Sequence, residues 1–466
     1  MAITQLVWLR NDLRLGDHPA IVSAHQQGNL ALLVCLTPEQ WHEHNESSAK
    51  CALREQLIET LQQQAHALNI PCHVLALQRF SDCPEAIKAL CQQHGYQQVW
   101  WQNELPVHEA QRDHKVAETL TAHNIECQQL APDLIVSGPV LNQQGQPFKV
   151  FTPFYKRWLA TLSATVSPAY DLPQQQSADI SLPEPFHHTT DSTSYREDLW
   201  PADYQVIREK LWQFCHRKEQ HYDELRDFPA KPYTSTLSPY LALGALGPRE
   251  CVEAIIHSCG EGERDWHTSV WLKELAWRDF YKQLMGFFPD LSKSLPFKPE
   301  TQRVQWNHNP AAFKAWCEGN TGFPIVDAAM RQLNQTGWMH NRLRMIAASF
   351  LTKLLLIDWR QGEKYFMETL IDGEFAANNG GWQWSASTGC DAAPYFRVFN
   401  PTRQSERFDP DGQFIKKFVP ELKGVDSKKI HDPSSALRQQ TGYCAPVVDY
   451  KKARADAIAA FENLKQ

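Results

Sequence analysis

Four short apolar runs in the first quarter of the chain constrain its fold more than any other feature: LVWL (residues 6–9), LALLVCL (30–36), CHVLAL (72–77) and QQVWW (97–101). They are short and rich in branched and aromatic residues, with little polar alternation, which fits strands buried on both faces. The stretches between them, such as residues 49–68, read as helices. Strand and helix in alternation predict a doubly wound parallel α/β sheet, Rossmann-like in architecture. No glycine fingerprint for a dinucleotide follows the first run, which argues against an ordinary dehydrogenase.

With 466 residues the chain has room for at least two domains. Residues 1–165 are expected to form the α/β domain. Residues 166–200, rich in Pro, Ser, Gln and Asp and without periodicity, read as an interdomain linker. Residues 201–466 turn helical and are expected to form an all-α domain. Hydrophobic residues make up 42% and charged residues 21%, the balance of a soluble globular protein. No apolar run approaches a membrane span and the N-terminus lacks a signal-peptide layout, so a cytoplasmic protein without membrane contact is expected. The 12 cysteines form no CxxC pair, so neither a metal site nor a disulfide framework is expected.

Charge separates the two halves. From residue 201 onward Lys and Arg number 34 against 32 Asp and Glu, leaving 12 against 21, or −9, before it. A total of −7 excludes a general basic coat, so any nucleic-acid contact must be local and in the second half.

The second half carries the chemistry. In DGEFAANNGGWQWSASTGCDAAPYFRVFNP (372–401), small residues and paired asparagines stand beside Trp382 and Trp384. Such a stretch can bring backbone close to a flat ligand and offer it directed hydrogen bonds. At about 100° per residue, Trp271, Glu274, Trp277, Arg278 and Tyr281 share roughly a 120° arc of one helix. Trp338, Asn341, Arg344 and Met345 share a similar arc of about 120° on a second. Faces that mix charge, amide and indole suit a cofactor cavity better than a dry core, and the two are expected to meet.

TSTLSPYLALGALGPRE (234–250), WLKELAWRDFY (271–281), GWMHNRLRM (337–345) and DGEFAANNGGWQW (372–384), with LVWLRNDLRLGDHPAI (6–21), together resemble the photolyase/cryptochrome family. Within it they are most similar to the bacterial class I cyclobutane pyrimidine dimer photolyases. The resemblance implies an α/β antenna domain followed by a helical FAD-binding domain, and light-dependent repair of pyrimidine dimers in DNA. FAD would be held by Tyr222, by Thr234, Ser235, Thr236, Leu237 and Ser238, by Trp271 and Arg278, and by Trp338, Arg344, Asp372, Gly373, Glu374 and Asn378. The loop hydroxyls would donate to phosphate oxygens and the two arginines would balance their charge. Asn378 matches the position beside flavin N5, where a neutral amide favours FADH⁻. Glu374 departs from the family's usual aspartate.

The resemblance also implies a lesion site. Glu274 and Asn341 would recognise the pyrimidine edges and, with Asn378, form the catalytic set. Trp277, Met345 and Trp384 would contact the dimer, which photolyases flip out of the base stack to reach. Arg226, Arg342, Arg397, Arg403 and Gln404 are candidates for phosphate and rim contacts. Trp306, Trp359 and Trp382 match an electron relay from the surface to the flavin. His44, His108, Glu109 and Lys293 match the positions that hold a methenyltetrahydrofolate antenna, although His108 replaces the usual asparagine. The partner would be ultraviolet-damaged DNA and the protein a monomer. Rival readings are a blue-light cryptochrome, a six-four photolyase, whose members carry histidine at the position of Asn341, and a dark flavin oxidoreductase.

Overall fold

The computed structural model describes residues 4–177, 181–188, 195–260 and 264–465. β1 (Thr4–Leu9) lies at the centre of a five-stranded, wholly parallel sheet. It is flanked by β2 (Asn29–Leu36) with β3 (Cys72–Ala76) outside it, and by β4 (Gln98–Gln102) with β5 (Glu126–Leu130) outside that. Leu6 pairs with Ala31 on one side and Val99 on the other, all fully buried. Burial on both faces is why β1, β2 and β4 read as continuous apolar runs. β5, sequence ECQQL, was not anticipated: as an edge strand it keeps polar, partly exposed residues and shows no apolar run.

The crossovers are α1 (Pro19–His25), α2 (Ser48–Ala67), α3 (Cys83–His94) and α4 (Val107–Ala122). Helix α5 (Phe151–Thr165) closes this region, and the described residues between 166 and 200 carry no helix or strand. Residues 178–180 and 189–194 of the expected linker lie outside the described residues. Gln176 fastens the rest: its Nε2 donates to the Leu30 carbonyl at 3.0 Å, and its own carbonyl accepts from Asn69 Nδ2 at 2.9 Å.

By compactness the chain divides differently from the order of segments expected above. One unit comprises residues 1–220 and 235–289, the other residues 221–234 and 290–466. The first therefore includes α6 (Val270–Phe287) along with the sheet. Asp279 of α6 explains the attachment, since its buried carboxylate accepts from the Ile135 and Val136 amides at 3.0 and 3.2 Å and from Trp158 Nε1 at 2.9 Å. A buried carboxylate satisfied by three donors fixes the loop to the helix.

The second unit packs α7 (Pro324–Thr336), α8 (Asn341–Ser349), α9 (Trp359–Thr369), α10 (Phe375–Ala386) and the later helices around Trp316, Trp359 and Trp382. Asp327 of α7 secures the later segment, accepting from Thr321 N at 2.7 Å, Gly322 N at 3.0 Å and the Tyr443 hydroxyl. The expected second helix face is not continuous. Trp338 does not share a helix with Asn341, Arg344 and Met345, because Gly337 at φ +68° ends α7 and α8 starts only at Asn341. His340 is its cap, with Nδ1 accepting from Arg342 N at 3.2 Å.

Candidate flavin and lesion site

The most ordered part of the site is the contact between α9 and α10. Trp359, Gly362, Glu363 and Phe366 recur at helical spacing on one face of α9 and are all buried. Helix α10 answers with Asn378, Asn379, Trp382 and Gln383. A Cβ on Gly362 would lie 2.1 Å from Trp382 Cη2, so only glycine lets the indole in. Trp382 then packs edge-on to Phe366 at 4.9 Å and to Trp316 at 6.0 Å, ring centre to ring centre.

The two asparagines are turned the same way. Asn378 Nδ2 donates to the Glu363 carbonyl at 3.0 Å, and Asn379 Nδ2 donates to Glu363 Oε1 at 2.8 Å. Gln383 Nε2 donates to Asn379 Oδ1 at 2.9 Å, which fixes that amide at both ends. With its amino group committed, Asn378 keeps Oδ1 as the atom that can accept from a ligand N–H. On the same helix a Cβ on Gly381 would meet nothing within 4 Å. An amide fixed through its amino group, with Oδ1 left as acceptor, suits a flat cofactor with a ring N–H, so these residues fit a flavin.

The cations are less available than their sequence positions suggest. Arg344 Nη2 lies 2.7 Å from Asp372 Oδ2 and its Nε donates to the Met339 carbonyl at 2.8 Å. Arg278 Nη1 donates to the Asp133 carbonyl at 3.0 Å and Nη2 lies 3.7 Å from the Asp133 carboxylate. Both arginines thus carry counter-charges inside their own units, and the positive surplus expected for phosphates is smaller than the sequence implied. In the 234–238 loop, Thr236 at φ +54° donates its hydroxyl to the Ser235 carbonyl at 2.7 Å. Leu237 is fully buried and anchors the loop. Ser235, Thr236, Leu237, Ser238, Trp271 and Arg278 belong to the sheet-bearing unit, and Tyr222, Thr234, Trp338, Asp372, Gly373 and Glu374 to the helical one.

The lesion residues divide in the same manner. On α6, Trp277 stacks on Phe151 of α5 at 3.6 Å and 7°, so one indole face is already covered, and Glu274 is half-buried. In the helical unit Asn341 is exposed, while Met345 and Trp384 are half-buried. Of the rim candidates, Arg342 is held in a two-pronged pair with Asp227 at 2.6 and 3.2 Å, and Arg226 lies over the Tyr222 ring at 5.6 Å. Arg397 and Arg403 are exposed and Gln404 is half-buried. Along the expected relay, Trp359 and Trp382 are buried in the helical core, and Trp306 packs at its edge against Phe461 at 6.1 Å.

His44 follows the short helix Pro38–Glu43, and His108 and Glu109 open α4. His44 Nε2 is 3.0 Å from His108 Nδ1, and His44 Nδ1 is 3.4 Å from Glu109 Oε1. Burial, with Glu104 adding to it, pushes the Glu109 carboxyl up to about 7. Burial and then His108 push the His44 imidazole below its usual value. Lys293 belongs to the other unit, where it is exposed and 3.0 Å from Asp290. The described residues contain no group of metal-ligating side chains, and none of their helices is long and apolar enough to cross a membrane.

Sequence reasoning passed over Gly362, Glu363 and Phe366. Their spacing from Trp359 in WRQGEKYF was the available signal.

Residues 271–463 match the family described as the FAD binding domain of DNA photolyase, and residues 5–174 match the DNA photolyase domain. The chain belongs to the DNA photolyase family. Within it, the chain is 43% identical to the deoxyribodipyrimidine photo-lyase of Vibrio cholerae, across 99% of this chain and 100% of that one. It is 42% identical to that of Escherichia coli, across 99% of each. Among solved structures, a bacterial class III photolyase from Agrobacterium tumefaciens superposes with a TM-score of 0.89 at 32% identity, covering 100% of this chain and 98% of that one. A Synechocystis cryptochrome superposes with a TM-score of 0.82 at 26% identity, covering 98% and 99%.

Proposed function

We propose that this protein is a light-dependent deoxyribodipyrimidine photo-lyase that repairs cyclobutane pyrimidine dimers in DNA with FAD as its cofactor. The observation that supports the reading is the fixed amide of Asn378, whose amino group is given to the Glu363 carbonyl, leaving Oδ1 as the acceptor a ring N–H would need. When bound and excited, the reduced flavin supplies the electron that opens the cyclobutane ring and receives it back.

The chain's own residues hold the geometry and the charge. Asn378 Oδ1 accepts the N–H of the reduced ring, and its neutrality avoids a second negative charge there. Trp277, backed by Phe151, and Trp384 offer the flipped dimer indole faces in place of the stacking it has lost. Glu274 and Asn341 hydrogen-bond the pyrimidine edges, and Met345 packs against the lesion. Exposed Arg397 and Arg403 meet phosphates, with Gln404, Arg226 and Arg342 at the rim. Trp382, Trp359 and Trp306 pass an electron inward when the flavin has become oxidised. The remaining FAD contacts fall to Tyr222, residues 234–238, Trp271, Arg278, Trp338, Arg344, Asp372, Gly373 and Glu374.

His44, His108 and Glu109, with Lys293, hold a methenyltetrahydrofolate antenna, the Glu109 carboxyl taking up the donor groups of a pterin. We assign residues 1–165 to the antenna, 166–200 to the link and 201–466 to FAD and DNA. The enzyme works as a monomer on ultraviolet-damaged DNA in the cytoplasm. The test is ultraviolet-irradiated oligothymidine incubated with purified protein: dimers disappear under blue light and persist in darkness, and loss of dimers in the dark overturns the proposal.

A further inference from the structure

Glu363 sits at the centre of the α9–α10 contact and has no role in the chemistry described so far. Its side chain is buried, at 5% exposure, and among the described residues it forms no ion pair. Its Oε1 accepts only from the amide of Asn379, and its backbone carbonyl accepts from the amide of Asn378. Asn379 cannot turn away, because its Oδ1 is held by Gln383, whose Oε1 in turn accepts from Phe297 N at 2.8 Å.

The charged groups around it are committed elsewhere. Arg360, on the same helix, lies 3.0 Å from Asp358 Oδ2 and donates to the Ser294 carbonyl at 2.7 Å. Lys353, in the π-helical turn 350–354 packed against α9, donates to Ser387 Oγ at 2.9 Å and to the Ala386 carbonyl at 3.2 Å. Helix α10 itself carries no ionisable residue, and Glu374 caps its start. A carboxyl taken out of water without a counter-charge favours its neutral form, and burial pushes Glu363 up to about 7, against the weaker downward pull of Asn379 and Arg360. It is therefore poised to change charge near neutral pH.

We propose that Glu363 takes up a proton when the flavin beside Asn378 is reduced, as a positioning residue that couples the charge of the cofactor to a buried acid. The inference rests on the flavin reading above. Full reduction brings two electrons and one proton into the ring and leaves it anionic. A carboxylate held by Asn379, the neighbour of the amide beside the ring, disfavours that anion. Where Glu363 is ionised beforehand, one solvent proton joins its carboxylate as the electrons enter, so the holoprotein binds one proton more than the ring alone requires. Below its own titration the group is already neutral and the excess vanishes. Neutral Glu363 keeps Oε1 as the acceptor for Asn379, so the orientation of both amides survives the change.

The experiment is a spectroelectrochemical titration of the flavin-loaded protein from mildly acidic to alkaline pH, comparing wild type with Glu363→Gln and Glu363→Asp. The expected result is an extra proton per electron pair above neutrality in wild type and in Glu363→Asp, absent in Glu363→Gln. The reduced-minus-oxidised infrared spectrum of wild type at alkaline pH should gain the carbonyl band of a protonated carboxylic acid. This second readout serves even if a variant does not fold. Equal proton uptake in wild type and Glu363→Gln, or no new carbonyl band, overturns the proposal while leaving the flavin in place. A protein that binds no flavin overturns the reading beneath it as well.

Discussion

Gly362 and Trp382 set the tolerance of the site at the scale of single residues. With 2.1 Å between a Cβ at 362 and the indole, Gly362→Ala must displace Trp382 or the helix carrying it. Overpacking of this kind costs about 1–3 kcal/mol. Thermal unfolding of Gly362→Ala is expected to shift down accordingly, with slower photoreduction of the oxidised flavin. Trp382→Phe keeps the packing closer to native but removes the indole, so it should slow photoreduction and spare repair by protein reduced beforehand; equal loss of both would remove Trp382 from the relay. Glu363 has a stability signature of its own. Its carboxyl is raised from 4.5 to about 7 by folding, so between those values the folded molecule binds more protons than the unfolded chain. Its contribution is present in full below the unfolded value and is lost as pH rises through that window. Glu109 behaves alike, whereas buried Asp133, held low by Arg14, slopes the other way. The comparison of wild type with Glu363→Gln isolates one group: denaturation midpoints measured across the window should fall more steeply with pH in wild type, and parallel curves would contradict this.

Elements differ in how much of themselves they show in the sequence. β1, β2 and β4 were legible because burial on both faces forces uninterrupted apolar runs; β3, at one edge, still carries the apolar run CHVLAL, while β5, at the other edge, hides behind polar residues. The helix carrying Trp271, Trp277 and Tyr281 was legible, and it runs unbroken from Val270 to Phe287. The helical arithmetic failed at Trp338, which it placed on one helix with Asn341, Arg344 and Met345, although α7 ends at the left-handed Gly337 and α8 begins only at Asn341. Residues carried by a family motif are the ones the sequence puts forward for the site, whereas Gly362 and Glu363 lie between motifs and show themselves only through contacts with α10. Stacking of α5 on α6 yields a prediction at this scale. Phe151→Ala uncovers the back of Trp277, and aromatic pairs of this kind contribute about 0.5–1.5 kcal/mol beyond their buried area. Binding of dimer-containing oligonucleotide should weaken several-fold in a fluorescence titration, with flavin content unchanged; unaltered affinity would detach Phe151 from the lesion site.

For the whole molecule, a net charge of −7 leaves attraction to DNA to a few placed cations, the role proposed for exposed Arg397 and Arg403. Affinity for damaged DNA should therefore fall with rising salt, with a shallow slope that reports the few phosphates contacted. A flat response would remove the phosphate assignments. The division of the chain into compact units was the least legible feature, because residues 235–289 join the unit of the sheet through buried polar ties such as Asp279, which leave no periodic trace. The central claim, that a bound flavin lets this fold convert blue light into repair, is tested most directly by stripping the protein of cofactor, restoring FAD, reducing it and measuring dimer loss under blue light. The account predicts no repair by the stripped protein, restored repair after reconstitution, and none in darkness; repair by the stripped protein, or repair indifferent to light, would contradict it.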